Sequence, residues 1–412
     1  MSFTSGLASP TARRDLRLVI AARAVSLLGD EIVLVALVLR TQARGDGAWA
    51  VVLLLMAGMA PLILLAPLVG RLVDRADSRS LLLASSLAQL ICCVALAYRP
   101  DVISTLVLVA ALGTGQSVNG ATWQALLPRI AGIDGLPAAL GLSQAAGTAA
   151  AIAAPVLGGV LTGWYGARIP LLLDAVGFGA VGIAALAVRT RRQLAADERA
   201  SDTRGGWAIL RADRLLMLLV SMLSLFILLG AMVNVVEVFL VRQELHASAT
   251  WYGVIGASWG IGVFAGALFG RRLRAQQALL RTALGSCALL GVGLAWMGLA
   301  PNVGWVLPAA FCGGVSNGLL SLAVSALVAI RTTDQVRGRV AATFGGLTSS
   351  GQVGALLLGG LLAAILAPRP IFVLAGVLSL LVPLALYRPL LGSLRREVPV
   401  LDEVTPPVAS VG

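Results

Sequence analysis

Long apolar runs follow one another along this chain almost without spare sequence, separated by short stretches rich in arginine, aspartate, glycine and proline. A bilayer core of roughly 30 Å takes about 20 residues of helix, so each run is long enough to cross once. The runs lie near residues 16–39, 49–70, 80–98, 102–123, 138–164 and 169–188, and again near 214–241, 252–270, 278–299, 303–330, 340–367 and 370–388. We number them spans 1 to 12. They predict an all-α integral membrane protein whose twelve transmembrane helices form two six-helix bundles, residues 1–188 and 214–392. The hydrophilic segment 189–213, with Arg191, Arg192, Asp197, Glu198 and Arg204, is the expected cytoplasmic connection. Residues 393–412, with Pro406 and Pro407, are expected to form a disordered tail. Span 1 is too long for a signal-peptide core and no small-residue cleavage site follows it, so it reads as retained.

Self-comparison at an offset of roughly 200 residues shows a weak duplication. Leu68-Val69-Gly70-Arg71 at the end of span 2 recurs as Leu268-Phe269-Gly270-Arg271 at the end of span 8. Gly158-Gly159-Val160-Leu161 in span 5 recurs as Gly359-Gly360-Leu361-Leu362 in span 11, and Gly29 aligns with Gly230. Parallel repeats of this kind predict two pseudo-symmetric halves related by an axis along the membrane normal, with a site between them near the midplane. Glycines lower helix stability in water but let helices approach closely in lipid. Gly262, Gly266 and Gly270 on span 8, and Gly159 and Gly163 on span 5, therefore mark packing seams; a sliding surface between moving halves is the functional alternative.

Composition supports the membrane reading: 58% of residues are hydrophobic, 12% are charged, and the mean hydropathy is +0.92. All 31 basic residues are arginine and the net charge is +12, a balance that in a soluble protein would suggest nucleic acid. Their placement argues otherwise. With a cytoplasmic N-terminus, about 24 of the 31 fall in the cytoplasmic tails and loops, about 6 on the other side, and Arg23 within span 1. That asymmetry orients the chain, with both termini cytoplasmic, as expected of a bacterial inner membrane protein, and no nucleic-acid partner is expected. Cys92, Cys93, Cys287 and Cys312 sit in apolar spans as packing residues. The single histidine, His246, stands in an outer loop without metal-spaced partners, and a chain without lysine cannot form a phosphate-binding Gly-x-x-x-x-Gly-Lys loop. No catalytic residue, metal or cofactor is expected, and no enzyme activity.

The loop after span 2 reads Gly70-Arg71-Leu72-Val73-Asp74-Arg75-Ala76-Asp77-Ser78-Arg79. It resembles the G-x-L-x-D-R-x-G-R-R signature of the major facilitator superfamily, with Asp77 and Ser78 where the family usually has glycine and a basic residue. The resemblance implies that Gly70, Asp74, Arg75 and Arg79 form a cytoplasmic gate latch, Gly70 through close packing and Asp74 by pairing with a helix N-terminus. Ala154-Pro155-Val156-Leu157-Gly158-Gly159 in span 5 looks like the antiporter signature G-P-x-x-G-G, carried here by Pro155, Gly158 and Gly159. Arg23-Ala24-Val25-Ser26-Leu27-Leu28-Gly29-Asp30, Leu173-Asp174-Ala175-Val176-Gly177-Phe178 and Arg337-Gly338-Arg339-Val340 narrow the resemblance to bacterial drug and siderophore exporters, the branch of macrolide efflux proteins and the enterobactin exporter. Span 4 lacks the intramembrane arginine of many proton-coupled exporters, a role open to Arg23.

Asp30 and Glu31 in mid-span would together cost about 5–7 kcal/mol if charged and facing lipid, so they must face a cavity or a partner. Asp30 follows Arg23 by seven residues, on nearly the same face, and Glu31 is turned by about 100° from it. Two readings stand: either acid is a proton or cation-substrate site, or Arg23 and Asp30 form a structural pair while Glu31 bonds a neighbouring helix. Asn234 and Glu237 share a face of span 7, although Glu237 can also reach interfacial water; Asn119 in span 4 and Asn317 in span 10 are each followed by glycine. By the resemblance, spans 1, 4, 7 and 10 line the central cavity. Asp174, beside Arg168 near the outer side, is expected to be structural. The expectation is a monomeric secondary transporter in the lipid bilayer, proton-coupled, exporting amphipathic or cationic small molecules, drugs or siderophore-like compounds by alternating access. The alternatives are a proton-symport importer and a non-transporting membrane binding protein.

Overall fold

The computed structural model describes residues 10–394 apart from 100, 188–206, 208, 209, 212, 271, 272, 274 and 333. The expected connection 189–213 and tail 393–412 therefore lie almost wholly outside the described residues. Every element within them is helical. Eleven helices are long and apolar enough to cross a membrane. The twelfth is span 1, Pro10–Ala43, which carries Arg23, Asp30 and Glu31 through its middle.

Loop aspartates and an asparagine start several spans by satisfying backbone N–H groups that have no partner within the helix. Asp77 accepts from the Ser80 amide at 3.1 Å at the head of span 3, Ser78–Tyr98, and Asp101 from Ser104 at 2.9 Å at the head of span 4. Asp213 accepts from Leu215 at 2.8 Å before span 7 and Asn302 from Gly304 at 3.0 Å before span 10, Val303–Arg331. The caps account for polar residues that hydropathy alone leaves as loop filler.

Several spans depart from the separate, continuous helices that the apolar runs predict. Span 2 is broken into Gly47–Leu64 and Ala66–Arg75. Pro67 has no N–H to return to the carbonyl of Ile63, so the ladder opens just before it, at Leu65. Spans 4 and 5 are joined as Val102–Tyr165, and the loop expected between them is helical, with one interruption at Gly132, whose φ of 68° suits glycine. Span 7 runs Arg214–Met232, restarts as Asn234–Phe239 and ends in a π turn over Leu240–Glu244. Span 11 begins earlier than expected, within Asp334–Ala363.

The two bundles meet along spans 5 and 8, Ala249–Gly270. A β-carbon on Gly253 would overlap the Pro155 carbonyl, and one on Gly159 would lie 2.7 Å from the Ala249 carbonyl oxygen. Gly256 faces the Pro155 ring and Gly260 faces Ala151 and Ile152. The seam is thus backbone against backbone. It occupies the end of the bundle opposite the arginine-rich loops, which we call the far end, the arginine-rich side being the basic end. Val38, Leu39, Val235, Val238, Phe239 and Leu356 from both halves form an apolar plug there. Towards the basic end the seam gives out. Gly147 of span 5 faces Leu27 of its own half at 3.8 Å, while Gly266 and Gly270 of span 8 face span 10 of theirs. Among the described residues, the halves are closed together at the far end and parted at the basic end.

The span 8 glycines picked out in the sequence are packing seams, as expected, and not the sliding surface given as the alternative. Gly262 and Gly266 pack against Phe311, Gly314 and Val315 inside the C-terminal half; the face of span 8 that meets the other half carries Gly253, Gly256 and Gly260.

Candidate functional site

Beneath the apolar plug lies a cavity of about 380 Å³ lined by both halves. Span 1 contributes Asp30, Glu31 and Leu34, span 4 contributes Leu112 and Gln116, and span 6, Arg168–Ala187, contributes Asp174. From the other half come Asn234, Glu237, Tyr252, Gln352 and Leu356. Leu54, Leu55, Met59 and Leu62 of span 2 complete an apolar wall. Four acidic residues, Asp30, Glu31, Asp174 and Glu237, line this space, and no arginine or histidine is among its lining residues.

Of the residues singled out from the sequence, Asp30, Glu31, Asn234 and Glu237 come together in this cavity. Glu31 is exposed to it, and Asp30 and Glu237 are half-buried. Asp30 accepts a hydrogen bond from Gln116 Nε2 at 2.8 Å, from span 4 rather than from Arg23. A bond to a charged group contributes about 1.5–3 kcal/mol and fixes the carboxylate's direction. Glu237 sits on the short restarted helix Asn234–Phe239, and the break at Val233 places both polar side chains of that helix on the cavity. Discontinuous helices and π turns recur where a membrane protein builds a binding site.

Asp174 lies away from Arg168, the neighbour expected for it from the sequence. It is 2% exposed and lines the cavity. Its Oδ2 accepts from the Cys93 thiol at 3.3 Å, and its Oδ1 is buried with no hydrogen-bond partner among the described residues. Cys93 is therefore more than packing. Arg168 lies instead over the Tyr98 ring, 4.2 Å from its centre. The acid reaches this position because residue 29 is glycine: a β-carbon there would overlap Asp174 Oδ1.

Three expected cavity residues lie elsewhere. Asn119 is buried inside the N-terminal half, where its Nδ2 donates to Gln89 Oε1 and its Oδ1 accepts from Ser85 Oγ at 2.6 Å. A fully engaged amide of this kind ties spans 3 and 4 together. Asn317 accepts from Ser321 on its own helix at 3.4 Å and does not line the cavity. Arg23 opens onto a separate pocket towards the basic end. Conversely, Gln116, Asp174, Tyr252 and Gln352 line the cavity without having been picked as site residues.

At the expected gate, span 2 ends at Arg75, with Val69 and Val73 buried and Arg71, Asp74 and Arg75 exposed. A β-carbon on Gly70 would meet open space, so the close packing expected there is missing while the basic end is parted. Asp77, in the family's usual glycine position, serves as the cap of span 3, and Arg79 lies half-buried in that helix's first turn. The span 5 motif is embedded in the contacts between elements: Gly158 abuts the Ile32 carbonyl and Val35 of span 1, while Pro155 and Gly159 abut span 8. The side chains of Arg337 and Arg339 lie outside the described residues.

Comparison with known proteins agrees with this architecture. Macrolide efflux protein A of Streptococcus pyogenes is 21% identical over 388 residues, covering 91% of this chain and 95% of that protein. Among solved structures, the nucleoside transporter NupG superposes with a TM-score of 0.72 at 12% identity, covering 93% of this chain and 100% of its own. A bacterial homologue of the iron transporter ferroportin, solved in its inward-facing state, gives 0.71 at 16% identity, covering 93% of this chain and 99% of its own. The family model described as Major Facilitator Superfamily matches residues 19–355. Twelve helices in two halves around a shared polar cavity, and a family match across most of the sequence, place this chain in the major facilitator superfamily, whose members are transporters and not enzymes.

Proposed function

We propose that this chain is a proton-coupled exporter that moves amphipathic cations out of a bacterial cytoplasm by alternating access, working as a monomer in the inner membrane with its basic end and both termini cytoplasmic. One observation carries the reading: a cavity shared between the halves, walled by leucine, valine and methionine, which is lined by four acidic residues and, among the described residues, by no basic one. Apolar walls suit the lipophilic body of a ligand, and a few convergent polar groups fix its charged end. Arginine bias across the loops supports the orientation, and efflux is the direction named for the streptococcal relative.

The chemistry follows from one acid set serving two cations. With the basic end open, a substrate cation pairs with an ionised carboxylate, and a protonated acid must release its proton to accept it. When the halves rock and the cavity faces the more acidic exterior, protonation neutralises the carboxylate and the substrate leaves. Asp30, held by Gln116, and Glu31, exposed to the cavity, are the leading carriers, with Glu237 facing them from the other half. The Pro155/Gly159 and Gly253/Gly256 seam would be the surface that separates, and the Gly70, Asp74, Arg75 and Arg79 loop would latch the basic end once it closes.

The test is flux in proteoliposomes of defined orientation under an imposed pH gradient, with ethidium as the probe. Ethidium is expected to move against the proton flow, and Asp30→Asn with Glu31→Gln to weaken ethidium binding and abolish that coupled flux. Co-directional movement of probe and protons would establish an importer instead. Undiminished coupled flux in the double variant would remove Asp30 and Glu31 from the mechanism. A wild type that binds across a broad panel and moves nothing would be a membrane-embedded binding protein.

A further inference from the structure

A second cavity, of about 340 Å³, opens nearer the basic end within the N-terminal half. Its walls are Ile20 of span 1, Leu127 and Pro128 from span 4, and Leu136 and Leu140 from the start of span 5, with Trp123, 4% exposed, as its floor. Its polar groups are of one kind. Arg23, half-buried, is joined by Gln124, Ser143 and Gln144, all able to donate hydrogen bonds, and among the described side chains no carboxylate lines the space. Among residues whose side chains are described, none forms an ion pair with Arg23. A guanidinium that is partly withdrawn from water, flanked by amide donors and set over an indole is a recognition site for an anion attached to an apolar body.

Its position relative to the carboxylate cavity is fixed by a single helix. Arg23 and Asp30 are seven residues apart in the unbroken helix Pro10–Ala43. They therefore stand about 10 Å apart along the axis and within about 20° of the same direction around it. Two pockets of opposite charge thus open along one face of span 1, both within reach of a ligand entering from the parted end.

Building on the proposed transport function, we propose that the Arg23 pocket is a second subsite for the same substrate. It takes the carboxylate, sulfonate or phosphate of an amphipathic molecule whose cationic group reaches Asp30 and Glu31. The substrate class is then an elongated zwitterion with its charges about 10 Å apart, two turns of helix, rather than a simple lipophilic cation. The pocket gives the pathway a polarity: the cationic end of the ligand leads, and the anionic end is held nearer the entrance.

The protein in nanodiscs, with binding to protein-free discs subtracted, allows the two ends to be measured separately. The anionic probe is 1-anilinonaphthalene-8-sulfonate, the cationic probe is ethidium, and the competitors are zwitterions carrying trimethylammonium and sulfonate groups on alkyl spacers of increasing length. Arg23→Gln is expected to weaken the anionic probe about tenfold or more, the loss of a charge-assisted hydrogen bond, and to leave ethidium within about twofold. Asp30→Asn is expected to do the reverse. Arg23→Lys should retain most anion binding, and Gln144→Leu should lose part of it, so the result does not hang on one variant. Competition should peak at a charge separation of about 10 Å and lose that optimum in Arg23→Gln. Anion binding untouched by Arg23→Gln, or both probes lost together in both Arg23 variants, would overturn the subsite. Its failure is separable from failure of the transport reading, because these are binding measurements: probes that bind as described and never cross a pH gradient would leave the subsite standing and remove the exporter.

Discussion

Gly253 offers a direct test of whether the span 5 and span 8 seam parts during function. Replacing it with alanine places a β-carbon over the Pro155 carbonyl, 2.9 Å from its carbon atom and 3.1 Å from the Gly159 α-carbon. Carbon atoms prefer roughly 3.5–4 Å, so the two backbones must move apart by about half an ångström or more. Neither neighbour is a flexible side chain that can swing aside. Overpacking of this kind costs about 1–3 kcal/mol. The cost falls on the state closed at the far end and vanishes where the seam is open, so the ratio of far-end-closed to far-end-open molecules should drop by about 5- to 150-fold at 1.4 kcal/mol per decade. Gly262→Ala is the matched control. Its β-carbon would lie 2.9 Å from the Val315 amide nitrogen, an equivalent clash that falls inside one half and leaves the equilibrium between states alone. Spin labels at positions 43 and 248, both exposed beside the far end, report the opening in a background without the four native cysteines. Gly253→Ala should move the distance distribution towards longer separations and Gly262→Ala should only lower thermal stability. Unchanged distances in Gly253→Ala, with transport at the wild-type rate, would show that the seam is a static joint and refute the reasoning.

Other substitutions test the separate elements. Pro67→Ala supplies the missing N–H to Ile63 and should straighten span 2, raising thermal stability by up to about 3 kcal/mol while slowing turnover if the bend at Leu65 serves as a hinge. Scanning calorimetry paired with flux would show a change in one and not the other if the bend is only a scar of sequence. Asp213→Ala removes the cap on Leu215 and the partner that Arg331 holds at 3.7 Å, and should cost about 2–4 kcal/mol in detergent unfolding, with Asp213→Asn recovering the cap share alone. At the head of span 4, hydrogen bonds from the Ser104 side chain and amide hold the exposed Asp101 carboxyl below its ordinary value of 3.8. Because the folded value is the lower one, the cap's contribution is complete above 3.8 and is lost as pH falls through the depressed value. Faster hydrogen exchange at Ser104 should therefore begin only in that acidic window, and exchange that accelerates between neutral pH and pH 5 would contradict it.

The number of the spans and their helical character were legible because hydrocarbon leaves the backbone little choice: a run that long must be helical. The same uniformity hides the breaks. Pro61 and Pro67 stand in plain view, yet only the second interrupts span 2, since the first is accommodated within Gly47–Leu64. Asp30, Glu31, Asn234 and Glu237 were legible as site residues because charge in mid-span demands a reason. Gln116, Tyr252 and Gln352 were not, as neutral polar groups are cheap enough in a helix to pass as filler. Asp174 was placed wrongly because counting residues from the helix end gives depth but not direction, and the glycine at position 29 that admits it lies on another helix. Likewise span 8 carries glycines on two faces, and nothing in its own sequence tells which face meets span 5 and which meets span 10.

The concentration of polarity in span 1 bears on how the protein is made. Span 1 is made before the other eleven spans and is the least willing to rest in lipid, since Arg23, Asp30 and Glu31 would each oppose insertion by about 2.5–3.5 kcal/mol when alone. The group that satisfies Asp30, Gln116, is synthesised some eighty residues afterwards, and the plug residues from the second half later still. Insertion of span 1 therefore leans on companions that emerge later, so the residues that give the cavity its chemistry also tie its stable placement to the rest of the chain.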